Sequence, residues 1–391
     1  MWTDDLHQRR RRSVLFGATV LLILITAGVV LSAADVTAQE RKPVVLSDRA
    51  ARVHQAGVLF DGHNDLPWEM RKNGHASFDQ YDIARPQPQA HTDIPRLRKG
   101  GVKAQFWSVY VPADTEQAGT SLLQTLQQVE LVHNMIKHYP DVFELASTAD
   151  DVERIARSGK IASMLGIEGG YSIENSLSNI QRLHGLGCRY MTLTHSRSLT
   201  WADSATDEPR CGGLSEFGTE VLLEMNRVGM LIDLSHVSAD CMRKSLKVTK
   251  APVIFSHSSA LALNSHPRNV PDDVLKLMPS NGGVVMVNFY SKYVIPTVQL
   301  EADDTQRGSI HDVVDHIEHV IRTAGIDHVG LGSDFDGVPR LPTQLEDVST
   351  YPLITQELLN RGHSETDIHK LLGGNILRVL RACETASHSL Q

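Results

Sequence analysis

In V-L-F-D-G-H-N-D-L-P-W, residues 58–68, an apolar run ends in a loop carrying Asp61, His63 and Asp65. In an extended chain, side chains at i and i+2 point the same way. His63 and Asp65 therefore converge, and an imidazole beside a carboxylate suits a divalent metal. Turn chemistry is the plain alternative, since Asp, Gly and Asn also satisfy loop backbone. One short motif does not choose between them.

Repetition does. Glu168 closes I-A-S-M-L-G-I-E, His195 closes Y-M-T-L-T-H, and His236 follows L-I-D-L-S. His257 follows P-V-I-F-S, and Asp334 and Asp336 follow V-G-L-G-S. Each sits just past an apolar run. Taken together, His63 and Asp65 would hold one metal, His236 and His257 another, with Glu168 shared between them. Two metals about 3.5 Å apart can share one bridging hydroxide as nucleophile.

The runs that must position these residues number eight after the N-terminal segment: 57–60, 104–111, 161–167, 190–194, 230–234, 253–255, 283–289 and 329–331. Most lack strict alternation, as strands buried on both faces do. Helical periodicity marks 121–137, 217–228 and 310–323 between them. Alternating strand and helix predicts an α/β fold, a (β/α)8 TIM barrel, whose strand ends meet in one ring at the top face. Segments 67–101 and 200–214 read as loops over one end. In H-D-V-V-D-H-I-E-H, His311, Asp315, His316 and His319 read as the solvated face of a helix, with Val313, Val314, Ile317 and Val320 buried. Asp203, Asp207 and Glu208 read as loop polarity, and Asp336 as orienting a neighbour or capping a helix.

The chain has 391 residues, 41% hydrophobic and 21% charged, with a net charge of −8. That composition is globular, and no basic run outside the N-terminus suits nucleic acid. The four cysteines, Cys188, Cys211, Cys241 and Cys383, form no C-x-x-C and read as buried or free thiols. Arg9–Arg12 precede an uncharged stretch, Val14–Ala34, and then Val36-Thr37-Ala38. Residues 1–38 therefore read as a signal peptide or a membrane anchor, and 39–391 as the barrel domain. Arg-Arg-Ser-Val-Leu-Phe is similar in outline to a twin-arginine signal. Either reading exports the barrel, to the periplasm, the medium or the outer side of a membrane.

D-G-H-N-D-L-P-W, Q-F-W-S-V-Y, E-G-G, M-T-L-T-H-S, W-A-D, I-D-L-S-H-V-S, P-V-I-F-S-H-S-S, R-N-V-P-D-D-V-L, V-M-V-N-F-Y and G-S-D-F-D-G-V-P occur in this order. Over 50–385 the chain resembles the membrane (renal-type) dipeptidase family of the metal-dependent amidohydrolase superfamily. The resemblance implies a hydrolase of dipeptides with two Zn2+ per chain. His63 and Asp65 match the ligands of one zinc, His236 and His257 those of the other, and Glu168 the bridging carboxylate. His195 matches the histidine on the substrate carbonyl. Arg268 matches the arginine on the terminal carboxylate, and Asp334 the proton-handling acid. Trp68 and Tyr290 match pocket residues. The expected partners are dipeptides, a membrane through the N-terminal segment, and a second copy of the chain. His266-Pro267 stands where animal members are more basic, the cysteines do not fall at the family's disulfide positions, and Ala382–Gln391 is too polar for a lipid-anchor signal. A hydrolase of N-acyl amino acids, or a silent binding protein on the same barrel, are the competing readings.

Overall fold

The computed structural model describes residues 41–390 apart from 297, 298, 301, 302 and 304. The signal or anchor expected over 1–38 lies outside the described residues. Among those described, no helix is long and apolar enough to cross a membrane.

Among the described residues nine strands form, all paired in parallel: β1 Leu59–Asn64, β2 Val102–Ser108, β3 Phe143–Leu145, β4 Ile161–Glu168, β5 Cys188–Thr192, β6 Leu231–Asp233, β7 Ile254–Phe255, β8 Val284–Val287 and β9 Val329–Leu331. Eight match the apolar runs. They follow the order β2-β1-β9-β8-β7-β6-β5-β4, and a β2–β4 pairing closes the barrel. The extra strand, β3, pairs with residues 161–163 of β4, below the point at which β5 joins at Leu165. It thus covers the lower edge of β4. Its F-E-L sequence is three residues long, with Phe143 buried and the other two partly exposed, too short for any periodicity to mark it.

The strands are buried along nearly their whole length, because helices cover the outside and side chains fill the inside. Inside, Phe60 stacks on Phe106 at 5.2 Å, and Phe106 meets Tyr190 at 4.8 Å. Gly166 makes room for that tyrosine: a Cβ there would stand 2.0 Å from Tyr190 Cζ. Outside, helices Ser121–His138, Glu216–Val228 and Ile310–Ala324 form over the predicted periodic segments.

Two expectations need correction. Segment 67–101 is not all loop: Leu66–Gly74 and Ile94–Lys99 are helices, each opened by an aspartate (Asp65, Asp93) with proline in the first turn. Nor is the histidine face of Ile310–Ala324 solvated. His311 and His316 are buried. His316 Nδ1 accepts from Ala260 N at 3.0 Å, its Nε2 lies 2.8 Å from Val294 O, and His311 pairs with Glu357 at 2.9 Å. A barrel helix touches neighbours on both flanks as well as the sheet, so its polar stripe is covered too.

Candidate binuclear metal centre

Glu168, the last residue of β4, stands at the middle. Its Oε1 lies 3.1 Å from His236 Nε2 and 3.6 Å from His257 Nε2. Its Oε2 lies 3.5 Å from His63 Nε2, which is 3.1 Å from Asp65 Oδ2. The two histidine Nε2 atoms of the first corner are 2.9 Å apart. Three donor groups result, each within 4.8 Å: His63, Glu168 and His257; Glu168, His195 and His236; His63, Asp65 and Asp334. A tetrahedral zinc shell of N and O donors has edges of about 3.3 Å, so these spacings fit a cation at each corner.

Backbone geometry serves this convergence. His236, Asp334 and Asp336 adopt left-handed φ values of 68°, 67° and 66°. Such conformations cost of order 1–3 kcal/mol for a residue other than glycine and persist where surroundings impose them. At His236 the grip is visible. Ala205 N donates to His236 O at 2.7 Å, while the Ser204 hydroxyl donates to His195 O at 2.7 Å. Asp203 shapes that loop by accepting the backbone N–H of Arg210, Cys211 and Gly213. It is buried, so it organises the loop from within. Asp336 orients a neighbour, accepting His91 N at 2.6 Å.

The outer nitrogens of the imidazoles are held as well, which aims the inner ones. His63 Nδ1 lies 2.8 Å from the Tyr190 hydroxyl, and His257 Nδ1 lies 2.8 Å from Ser256 Oγ. The two strands that carry no candidate ligand contribute here. Ser108, ending β2, donates to Glu168 Oε2 at 3.2 Å, and Asn288, just past β8, donates to Asp334 Oδ2 at 2.8 Å. All eight barrel strands therefore reach the site. Gly337 packs so close that a Cβ would stand 2.2 Å from Asp65 Oδ2 and 2.4 Å from Asp334 Oδ1. Sequence reading missed Tyr110 too, whose ring lies between Trp68 (5.1 Å) and His195 (4.9 Å). Its only signal is its place two residues past the end of β2.

The charges are strongly coupled. Burial would raise Glu168, yet His63, His195 and the hydrogen bond from His236 outweigh it and hold the carboxyl well below its usual range. Burial, then Arg268 and the neighbouring imidazoles, hold His236 and His257 well below theirs. Both are thereby kept neutral, the form that binds a metal. Burial pushes Asp334 up to about 7; His63 opposes the shift, and Asp65 and Glu168 add to it.

A cavity of about 430 Å³ opens onto the cage. Asp65, Trp68, Glu168, His195 and Asp334 line one part, and Arg268 and Tyr290 another. Arg268 is 1% exposed. It donates at 3.3 Å to Ser258 Oγ and to His257 O, and its guanidinium sits 5.2 Å from the Tyr293 ring. Its Nε has no partner, and no carboxylate of the described residues forms an ion pair with it. Asp272, the obvious candidate, pairs with His319 instead, at 2.7 Å.

The chain matches the family described as membrane dipeptidase (peptidase family M19) over residues 47–391. The chain belongs to that family. It is a metallo-dipeptidase, a metal-dependent hydrolase of dipeptides. Solved structures agree in fold. The probable dipeptidase PvdM from Pseudomonas aeruginosa superposes with a TM-score of 0.77 at 23% identity, over 86% of this dipeptidase and 98% of that chain. A metallo peptidase from Rhodobacter sphaeroides, liganded with a phosphinate mimic of the dipeptide L-Ala-D-Ala, gives 0.75 at 24%, over 83% and 99%. The dipeptidase AC, a metallo peptidase of family M19, gives 0.74 at 25%, over 83% and 98%. All four cysteines of the present dipeptidase are free thiols.

Proposed function

We propose that this chain is an exported dipeptidase using two zinc ions, one held by His63 and Asp65, the other by His236 and His257, with Glu168 on both. The split of the Glu168 oxygens between the two corners supports that assignment. Bound zinc supplies Lewis acidity and brings the pKa of a bound water toward neutrality. The protein does the rest. Asp334 takes the water proton and returns it to the leaving amine, general base and then general acid. The His195 imidazole donates to the developing oxyanion. Arg268 binds the free carboxylate of the substrate, and Trp68 and Tyr290 flank it. Export rests on Arg9–Arg12 and the uncharged Val14–Ala34, read as a signal or an anchor.

The observation that carries the dipeptide reading is Arg268, a buried cation lacking an acid partner among the described residues and facing the cavity. A substrate carboxylate supplies the missing charge through a charge-assisted contact. Losing one partner of such a buried pair costs about 2–5 kcal/mol, or roughly thirty- to several-thousand-fold in kcat/KM. Arg268→Ala should lose that much on free dipeptides and far less on dipeptide amides, with zinc content unchanged. Equal losses on acid and amide would remove Arg268 from substrate recognition and reopen the reading of a general amidohydrolase.

A further inference from the structure

Asp233, the last residue of β6, is fully buried and takes part in no contact with the cavity. Four donors meet its two oxygens. The backbone N–H groups of Ser235 (3.0 Å) and Ser256 (2.8 Å) reach Oδ1. The hydroxyls of Ser256 (2.6 Å) and Thr192 (2.5 Å) reach Oδ2. A hydroxyl has one proton. The Ser256 proton is committed to Asp233, so Ser256 Oγ can only accept from His257 Nδ1, 2.8 Å away. That places the imidazole proton on Nδ1 and leaves Nε2 bare, facing Glu168 and His236 Nε2.

We infer that Asp233 is a positioning residue which, through the Ser256 hydroxyl, fixes the tautomer of His257 and so presents its Nε2 as a donor to the metal centre. The inference rests on the metal-ligand reading of His257 only for its affinity arm; the tautomer is a property of the protein alone.

The chemistry of Asp233→Asn makes the idea testable. The backbone N–H groups at Oδ1 cannot turn, so the amide oxygen must face them. The NH2 then faces the two hydroxyls, which can rotate to accept. Ser256 is thereby freed to donate to His257 Nδ1, and the imidazole proton moves to Nε2, pointing into the cage.

Nitrogen-15 NMR of histidine-labelled, metal-free protein, taken above the imidazole titration range, reads the tautomer directly. Wild type should show Nδ1–H at His257 and Asp233→Asn should show Nε2–H. Ser256→Ala should leave a mixture, and Ser256→Thr should restore the wild-type form. Chelator competition with zinc should then show one ion bound as in wild type and the other weakened about ten- to a hundredfold in Asp233→Asn, the usual cost of losing an outer hydrogen bond to a ligand. An unchanged tautomer, or zinc affinity within about twofold of wild type with the tautomer switched, overturns the inference. Should Asp233→Asn not fold, the Ser256→Ala and Ser256→Thr pair decides by the same two readouts. A wild type that binds no zinc but shows Nδ1–H would sink the cage and leave the tautomer assignment standing.

Discussion

Beneath the His63 side of the site, Asp61 accepts the Ser333 N–H at 2.8 Å and its hydroxyl at 2.7 Å. Beneath the His257 side, Asp233 accepts the Ser256 N–H at 2.8 Å and its hydroxyl at 2.6 Å. In both places a buried aspartate on one strand clamps a serine just past the end of the neighbouring strand. In both, the residue after the serine, Asp334 or His257, enters the site. The difference lies in what else the clamp touches. Asp61 also takes the Tyr351 hydroxyl at 2.7 Å and Gln105 Nε2 at 3.2 Å, and reaches no imidazole. On that side His63 is oriented separately, by Tyr190. One floor therefore divides backbone fastening from imidazole orientation, and the other joins them in a single hydroxyl.

In the proposed centre each floor carries one metal corner, and Glu168 belongs to both. Glu168→Gln tests this with the largest effect. An amide bridges poorly, so zinc should fall at both corners by more than the roughly 10- to 100-fold that follows loss of an outer hydrogen bond. Metal analysis after dialysis checks it; loss of one ion alone would make the corners unequal and break the symmetry.

Tyr190→Phe separates the floors. It removes the partner of His63 Nδ1 while leaving the ring to fill the space beside Gly166. Zinc affinity should weaken about 10- to 100-fold at one corner with the thermal midpoint nearly unchanged. Asp61→Asn should do the opposite. Its NH2 would face the Ser333 and Tyr351 hydroxyls, which can turn to accept, and the Gln105 NH2, which can only donate, and a buried unsatisfied group costs about 1–3 kcal/mol. Urea unfolding of the metal-free protein should register that loss, with the tautomers of His63 and His257 unmoved. A tautomer change in Asp61→Asn would mean that the floors work alike after all.

His316 supplies a control outside the cage. Its Nδ1 accepts from a backbone N–H, so its proton must sit on Nε2, opposite to His257. Burial lowers its pKa from 6.5 to about 4. The fold thus favours the neutral ring. This stability is fully present above 6.5 and is lost as pH falls from 6.5 toward 4, at up to about 1.4 kcal/mol per pH unit. His316→Gln should be less stable at neutral pH and should flatten that decline in urea unfolding. Equal pH slopes in the two proteins would mean that protonation of His316 is not felt by the fold.

Much of this was legible in residue order. Apolar runs ending in His63, Glu168, His195, His236, His257 and Asp334 announce a ring of strand ends, because a barrel must bring such ends together. The floors were not legible. Asp61 and Asp233 look like turn residues, and a serine before a histidine looks like nothing in particular. Only the register that sets Ser333 beside Asp61 and Ser256 beside Asp233 gives them partners. Ser108 and Asn288 escaped for the same reason: their role is a contact across strands. The burial of His311 and His316 escaped because periodicity reports one apolar face, while a helix in this ring is covered on three sides.

The grip of Ser204 and Ala205 on the carbonyls of His195 and His236 bears on how such an enzyme can diversify. Loops at the top of a barrel are usually where new substrates are learned. Here one of them fastens the backbone of two histidines of the candidate site, and insertions in it would be felt by both at once. The wall formed by Lys72 and Val338 also lines the cavity. Among the described residues, Lys72 reaches only Glu69 on its own helix, at 3.3 Å. Drift in substrate preference has room there, where a changed side chain alters what fits and leaves the chemistry alone.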